Sequence, residues 1–192
     1  LNNAVQNSVT YIMKRLLLSV AAIIITLQSL QAQARLSAAQ IISSASTQAK
    51  KENKNIFIIF HASWCVWCHR MDTAINDPAV SKYFTDNYVV KHMTVLESKD
   101  KKQLENAGAE ALMKKYSGES SGIPFWIIMD KNGNYLYDSR ARTADDQPGA
   151  NVGCPASEPE VAHFITILKK SSSIDADGLE AIRKRFRKIE TQ

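Results

Sequence analysis

The sequence predicts an α/β layer fold: a single domain with helices packed on both faces of a mixed sheet. "NIFIIF" (residues 55–60) is a continuous apolar run rich in β-branched and aromatic residues, the pattern of a strand buried on both faces. Apolar runs of this kind alternate with segments of helical period, as parallel βα units require. "PFWIIMD" and "YLYDS" are joined by "KNGN", whose Asn-Gly pair is the strongest short-range hairpin signal. A hairpin therefore adds antiparallel strands to a parallel pair.

The elements follow in order. "LSAAQIISSASTQAKKENK" places Leu36, Ala39 and Ile42 at helical spacing, ends in a polar, basic stretch, and predicts a first helix. After the strand 55–60, "CVWCHRMDTAIN" continues as a helix through Met71 and Ile75. Asp77-Pro78 reads as an N-cap followed by Pro at the first helical position, starting a short helix over "PAVSKYFTDN". "YVVKHMTVL" is a second strand. "SKDKKQLENAGAEALMKKY" predicts one amphipathic helix with Leu104, Ala107, Ala111 and Leu112 on its inner side. The hairpin comes next. "SEPEVAHFITILKK" is then a capped helix burying Val161, Phe164, Ile165 and Leu168.

Residues 1–34 stand apart. Lys14-Arg15, the apolar run "LLLSVAAIIITL" and Ala32-Gln33-Ala34 follow the charged, apolar, small-residue order of a secretory signal, with cleavage expected after Ala34 and Met13 as the start. The apolar run is short of the roughly 20 residues a spanning helix needs, so no stable membrane span is expected once the signal is removed. The expected organisation is a leader over 1–34, a domain over 35–170 and a basic amphipathic helix over 171–192. Without the leader the chain holds 22 bases against 19 acids, a net charge of +3. No basic stripe interleaved with aromatics is present, so nucleic acid is not an expected partner. An exported, periplasmic location puts thiols in an oxidising setting.

Only three cysteines occur, Cys65 and Cys68 as a spaced pair and Cys154 alone. "CVWCH" fits a redox dithiol, a haem-attachment motif or half a zinc site. Zinc needs two further ligands, and Cys154, His61, His92 and His163 form no second spaced pair. Haem attachment belongs to small helical wrappings, whereas here a buried strand leads into the motif and further strands follow. The dithiol suits that context. A strand running into a cysteine at a helix start places Cys65 among backbone N–H groups that lack helical partners, at the positive end of the helix dipole. A thiolate is stabilised there and becomes nucleophilic at neutral pH. Cys68 lies nearly one turn on, placed to resolve a mixed disulfide by exchange.

"FIIFHASWCVWC", "SGIPFWIIMDKNGNYLY" and "NVGCPASEPEVAHFITILKK" resemble the thioredoxin superfamily in the same order, over about residues 36–170. "WCVWCHRMDTAINDPAVSKYF" further resembles the exported C-terminal domain of the electron transporter DsbD and stand-alone domains like it. The resemblance implies a thioredoxin fold, with a central mixed sheet of four to five strands, flanking helices and a C-terminal helical extension. It implies a cis Ile123-Pro124 bond beside the cysteines, with residue 123 pairing to substrate backbone. Trp64 would shield the thiolate, and Val152-Gly153 would line the substrate groove, bringing Cys154 near the site. The segment 140–151 reads as a loop longer than in plain thioredoxins. The family's buried carboxylate, six residues before the first cysteine, is replaced by Ile59; His61, His69 or solvent would then relay protons. Ile123 before the proline is the reductase-like choice.

The expected protein is thus an exported thiol–disulfide oxidoreductase that reduces protein disulfides. Cys65 attacks and Cys68 resolves, with no metal and no cofactor beyond the Cys65–Cys68 disulfide. A membrane electron donor of DsbD type and a monomeric state are expected. The alternatives are a non-catalytic binding or chaperone-like module of the same fold, or a c-type haem protein. The tail "SIDADGLEAIRKRFRKIE" aligns Leu179, Ile182, Phe186 and Ile189 on one helical face. It is expected to pack on its own domain or sit in solvent, rather than on an anionic membrane or a partner.

Overall fold

A computed structural model describes residues 13–16, 35–117, 121–143, 145 and 147–191. The chain divides into two compact units, residues 1–35 and 36–192, and the elements that follow belong to the second. The expected leader and its cleavage point after Ala34 lie, apart from residues 13–16, outside the described residues.

Helix α1 (Ala38–Glu52) opens on a capping box in which the Ser37 hydroxyl accepts from the Gln40 backbone and the Gln40 side chain accepts from Ser37 N–H. This start leaves Leu36 outside the helix. Leu36 is exposed, Ala39 faces outward, and Ala38, Ile41, Ala45 and Ala49 are buried instead. Small side chains let α1 lie close on the sheet. Strand β1 (Asn55–His61) follows, then α2 (Val66–Ile75), α3 (Ser81–Asn87) and β2 (Tyr88–Thr94). Helix α3 begins at Ser81 rather than Pro78. Asp77 is engaged in a turn, its carboxylate accepting from Ala79 N–H and from Arg185, while residues 78–80 are turn.

The single helix expected over 98–116 is broken in two. A 3-10 segment (Lys99–Leu104) is separated from α4 (Ala109–Ser117) by a bend. Asn106 ties that bend to the sheet by accepting from Thr94 N–H and donating to the Leu36 carbonyl. Gly108 turns the chain at φ 79°, a left-handed conformation that costs other residues more. The buried residues of α4 are accordingly Ala109, Met113 and Ser117, while Ala107 and Ala111 are exposed.

Strands β3 (Phe125–Met129) and β4 (Tyr135–Asp138) form the hairpin. The sheet order is β2-β1-β3-β4, with β1 parallel to β2 and antiparallel to β3. The segment 140–151 is not a plain loop but a second two-stranded sheet of β5 (Arg140–Arg142) and β6 (Pro148–Asn151). Its root is the fully buried Asp138, which accepts from the Arg140 guanidinium, Arg140 N–H and Tyr135 OH. Helices α5 (Glu158–Ser171) and α6 (Ala176–Arg187) complete the chain before a final 3-10 turn. Pro159 in the first turn of α5 and the Ser157–Glu160 capping box fix its start.

Alternation along β1 divides the core. Ile56, Ile58 and Phe60 face α1 and α4, with Val89, Met93, Phe125 and Ile127. Phe57 and Ile59 face α2 and α5 in a cluster with Phe84, Trp126, Phe164 and Phe186. Phe186 of α6 lies 4.9 Å from the Phe164 ring and 6.3 Å from Phe84. The C-terminal face expected at Leu179, Ile182, Phe186 and Ile189 is buried in this cluster. Gly178 permits the contact, because a Cβ there would sit 2.6 Å from the Tyr83 ring.

Candidate active site

The chain leaves β1 at His61 and turns through Ala62–Trp64 into α2, with Cys65 as N-cap. Cys65 Sγ accepts from Cys68 N–H at 3.2 Å, one of the donors a helix start leaves unpaired. The two sulfurs are joined as a disulfide, with Cα atoms 5.3 Å apart. Cys68 is fully buried and Cys65 retains 3% exposure. Together with Ala62 they form a small apolar cluster against Ile123.

The turn before Cys65 is held by a carboxylate that the sequence pattern does not single out. Glu97, just beyond β2 and 4% exposed, accepts from Ser63 N–H (2.6 Å) and from the Ser63 hydroxyl (2.8 Å). Burial pushes its carboxyl up, but the Ser63 hydrogen bonds and nearby Lys101 outweigh that and hold it below the ordinary value. Trp64 Nε1 donates to the carbonyl of Leu96, which adopts φ 54°. The Trp64 ring is otherwise 56% exposed, and Val66 and Trp67 beside it are exposed as well. Arg70 stacks over the Trp67 ring at 4.6 Å.

Across from the cysteines, the Ile123–Pro124 peptide is cis, and the Ile123 carbonyl oxygen lies 3.7 Å from Cys65 Sγ. A cleft of about 300 Å³ runs along this segment, lined by Trp67, Ile123, Pro124, Val152 and Gly153, with Cys154 and Glu160 at one side. Asn151 joins its two walls by donating to the Gly122 and Pro124 carbonyls and accepting from Gly153 N–H. The Gly153 carbonyl in turn accepts from Trp126 Nε1, fixing the wall to the aromatic core. Cys154 is buried, and burial, with Glu160 nearby, pushes its thiol up to about 12.

The two histidines expected as proton relays are placed differently. His69 is exposed on α2, with Nε2 3.0 Å from the Ser63 carbonyl, which makes that nitrogen the donor. His61 is half-buried at the end of β1, with Nε2 3.3 Å from Thr94 Oγ1. Burial first, and the neighbouring His92 second, lower its pKa. Asp72 and His92, which sequence reasoning also missed, form a pair at 2.7 Å beside it. The spacing of Cys68 and Asp72, four residues apart on one helix, was the available signal. Nothing in the sequence pointed to Glu97 or Asn151, whose roles depend on long-range register.

A buried strand delivering a CxxC pair to a helix N-terminus, on a mixed sheet flanked by helices, is the thioredoxin fold. Residues 38–131 match the thioredoxin-like family model, and this part of the chain belongs to that family. Among solved structures it is similar to a disulphide isomerase from Xylella fastidiosa Temecula1, at 17% identity over 79% of this chain and 88% of that one (TM-score 0.43). It is also similar to the DsbD C-terminal domain of Neisseria meningitidis in its oxidised form, at 17% identity over 71% and 97% of the two chains (TM-score 0.42). A third likeness is to DsbH oxidoreductase, at 19% identity over 72% and 83% (TM-score 0.39). No curated protein matches the sequence.

Proposed function

We propose that the protein is an exported thiol–disulfide oxidoreductase that reduces protein disulfides. The observation that carries this reading is Cys65 at the N-cap of α2, its sulfur held by Cys68 N–H and facing the Ile123 carbonyl. In the reduced protein the helix start stabilises a Cys65 thiolate. That thiolate attacks one sulfur of a substrate disulfide, forming a mixed disulfide and expelling the other sulfur as a thiolate, which is then protonated. Cys68, deprotonated, attacks Cys65 Sγ, forms the Cys65–Cys68 bond and releases the second substrate thiol. Two electrons pass from the dithiol to the substrate, and a dithiol donor outside this chain, such as a membrane transporter of DsbD type, must return them.

The cleft supports protein substrates. The backbone at Ile123 offers an extended chain a strand-like partner beside the nucleophile, and exposed Trp64, Val66 and Trp67 offer apolar contact around it. The motif fits haem attachment poorly: Cys68 is fully covered, and His69 Nε2 donates to the Ser63 carbonyl rather than projecting free. Insulin reduction with dithiothreitol as donor tests the proposal. Turnover that disappears in Cys65→Ser supports it, whereas turnover that is absent or independent of Cys65 leaves a binding module of the same fold.

A further inference from the structure

The cleft beside the cysteines has two walls drawn from separate parts of the chain, Gly122–Pro124 on one side and Val152–Gly153 on the other. Asn151 stands between them and commits its whole side-chain amide to the joint. Nδ2 donates to the Gly122 carbonyl at 2.8 Å and to the Pro124 carbonyl at 3.1 Å. Oδ1 accepts from Gly153 N–H at 3.0 Å and from the Ser139 hydroxyl at 2.7 Å. An amide carries two N–H donors and an oxygen with two lone pairs, so every position it has is filled. Carbonyls only accept and Gly153 N–H only donates, so neither a flipped amide nor a carboxylate satisfies this set.

The joint is anchored on both sides. Ser139 is fully buried, and the hydroxyl that donates to Asn151 accepts from Trp126 N–H, which ties the amide to β3. The Asn151 backbone pairs with Arg140 in the β5–β6 sheet, and Arg140 is held in turn by the buried Asp138 carboxylate. Gly153, at φ 65°, lies so close to the opposite wall that a Cβ there would sit 3.4 Å from the Pro124 carbonyl oxygen. Between the two carbonyls that Asn151 engages, the Ile123 carbonyl faces the cysteines instead, 3.7 Å from Cys65 Sγ. The backbone of residue 123 is therefore the part of this wall that Asn151 leaves for an incoming chain.

We propose that Asn151 is a positioning residue that sets substrate choice: by bracing residues 122–124 against the Val152–Gly153 wall, it presents Ile123 to an extended chain and so favours protein disulfides over small ones. This deepens the oxidoreductase reading and rests on it. A protein substrate must bring its disulfide onto Cys65 while its backbone runs along Ile123, so its reaction depends on the spacing of the two walls. A small disulfide needs only the Cys65 sulfur. The N-cap position of that sulfur and its bond from Cys68 N–H come from α2, not from Asn151. The selecting device therefore belongs to the segment 140–151, which forms its own two-stranded sheet beside the main one. Without the amide, the Gly122 and Pro124 carbonyls lose their common partner and the walls are free to part, while the chemistry at Cys65 is untouched.

Oxidation of the reduced full chain by two disulfides, insulin and the small neutral 2,2′-dithiodipyridine, tests this. Rates are measured over a range of each disulfide's concentration. Asn151→Ala is expected to lower the second-order rate constant for insulin by about ten- to a hundredfold. The loss should lie in the half-saturating concentration, with the limiting rate within about threefold of wild type. The rate with 2,2′-dithiodipyridine should change by less than about threefold, since that reaction does not use the wall. An equal loss with both disulfides overturns the proposal, as the signature of a merely structural asparagine. So does an insulin reaction that superposes on wild type, or a loss confined to its limiting rate. Should Asn151→Ala fail to fold by circular dichroism, Asn151→Asp decides, because it keeps the acceptor contacts and loses both donors. A loss with insulin alone then supports the proposal, and rates that are unchanged or equally reduced overturn it. Wild-type protein that reacts with neither disulfide would sink the oxidoreductase reading instead.

Discussion

The two faces of the sheet are built from different materials. The face under α1 and α4 is mainly aliphatic, with the small Ala38, Ala45, Ala49 and Ala109 against Ile56, Ile58 and Ile127 and one aromatic pair, Phe60 and Phe125. The face under α2, α5 and α6 is aromatic, with Phe57, Phe84, Trp126, Phe164 and Phe186 in mutual ring contact. The site stands at one end of the aromatic face: the row that begins with Phe57 ends at His61, and the cleft wall hangs from Trp126 through the Gly153 carbonyl. One face holds the sheet closed by close approach, and the other both packs and positions chemistry. Mutations on the first should change stability alone, and those on the second should change stability and site geometry together.

The largest expected effect lies at the end of the aromatic row. Cys65→Ser should reduce insulin turnover to background with the melting temperature of the reduced protein unchanged; surviving turnover would mean that the chemistry lies elsewhere. Next comes the aromatic body. Trp126→Ala should cost about 3–5 kcal/mol in urea unfolding and also lower kcat/KM, because the Gly153 wall loses its tether. Ala45→Leu on the other face should cost about 1–3 kcal/mol by overpacking and leave kcat/KM per folded molecule intact. Equal loss of turnover in both variants would dissolve the distinction between the faces.

Much of this layout can be read in the sequence. "NIFIIF" announces a strand covered on both faces, the Asn-Gly loop announces the hairpin, and the Ser157–Glu160 box announces α5. Cys65 and Cys68 were legible because their spacing is local, whereas Pro124 was legible only through the family resemblance. The break at Gly108 was not, since the segment 98–117 has helical periodicity throughout; Asn106 bonds to Thr94 and Leu36, which only the fold brings close. Spacing alone does not fix the inner face of α1, where close packing selects Ala38, Ala45 and Ala49 beside Ile41. The Asp138-rooted β5–β6 sheet carries arginines, proline and glycine, a composition with no strand signature.

Smaller effects sharpen the comparison further. His61 and His163 are both held below the ordinary imidazole pKa, chiefly by burial. Their unfolded forms bind protons first as pH falls, so stability present above about pH 6.5 should decline as pH drops through and below that value. Urea midpoints between pH 7.5 and 5 measure this, and His61→Phe should flatten the slope. An unchanged slope would assign it to other groups. The smallest effect is expected at Cys154, whose buried thiol stays protonated. Cys154→Ser should change insulin turnover by less than about twofold; a loss as large as that of Cys68→Ser would make Cys154 a participant.

The most direct test of the central claim is trapping. Reduced Cys68→Ser protein, mixed with a disulfide-bonded peptide and quenched with acid, is expected to carry one peptide joined to Cys65 by mass spectrometry. An adduct on Cys154, or none on any cysteine, would contradict the assignment of Cys65 as the attacking sulfur.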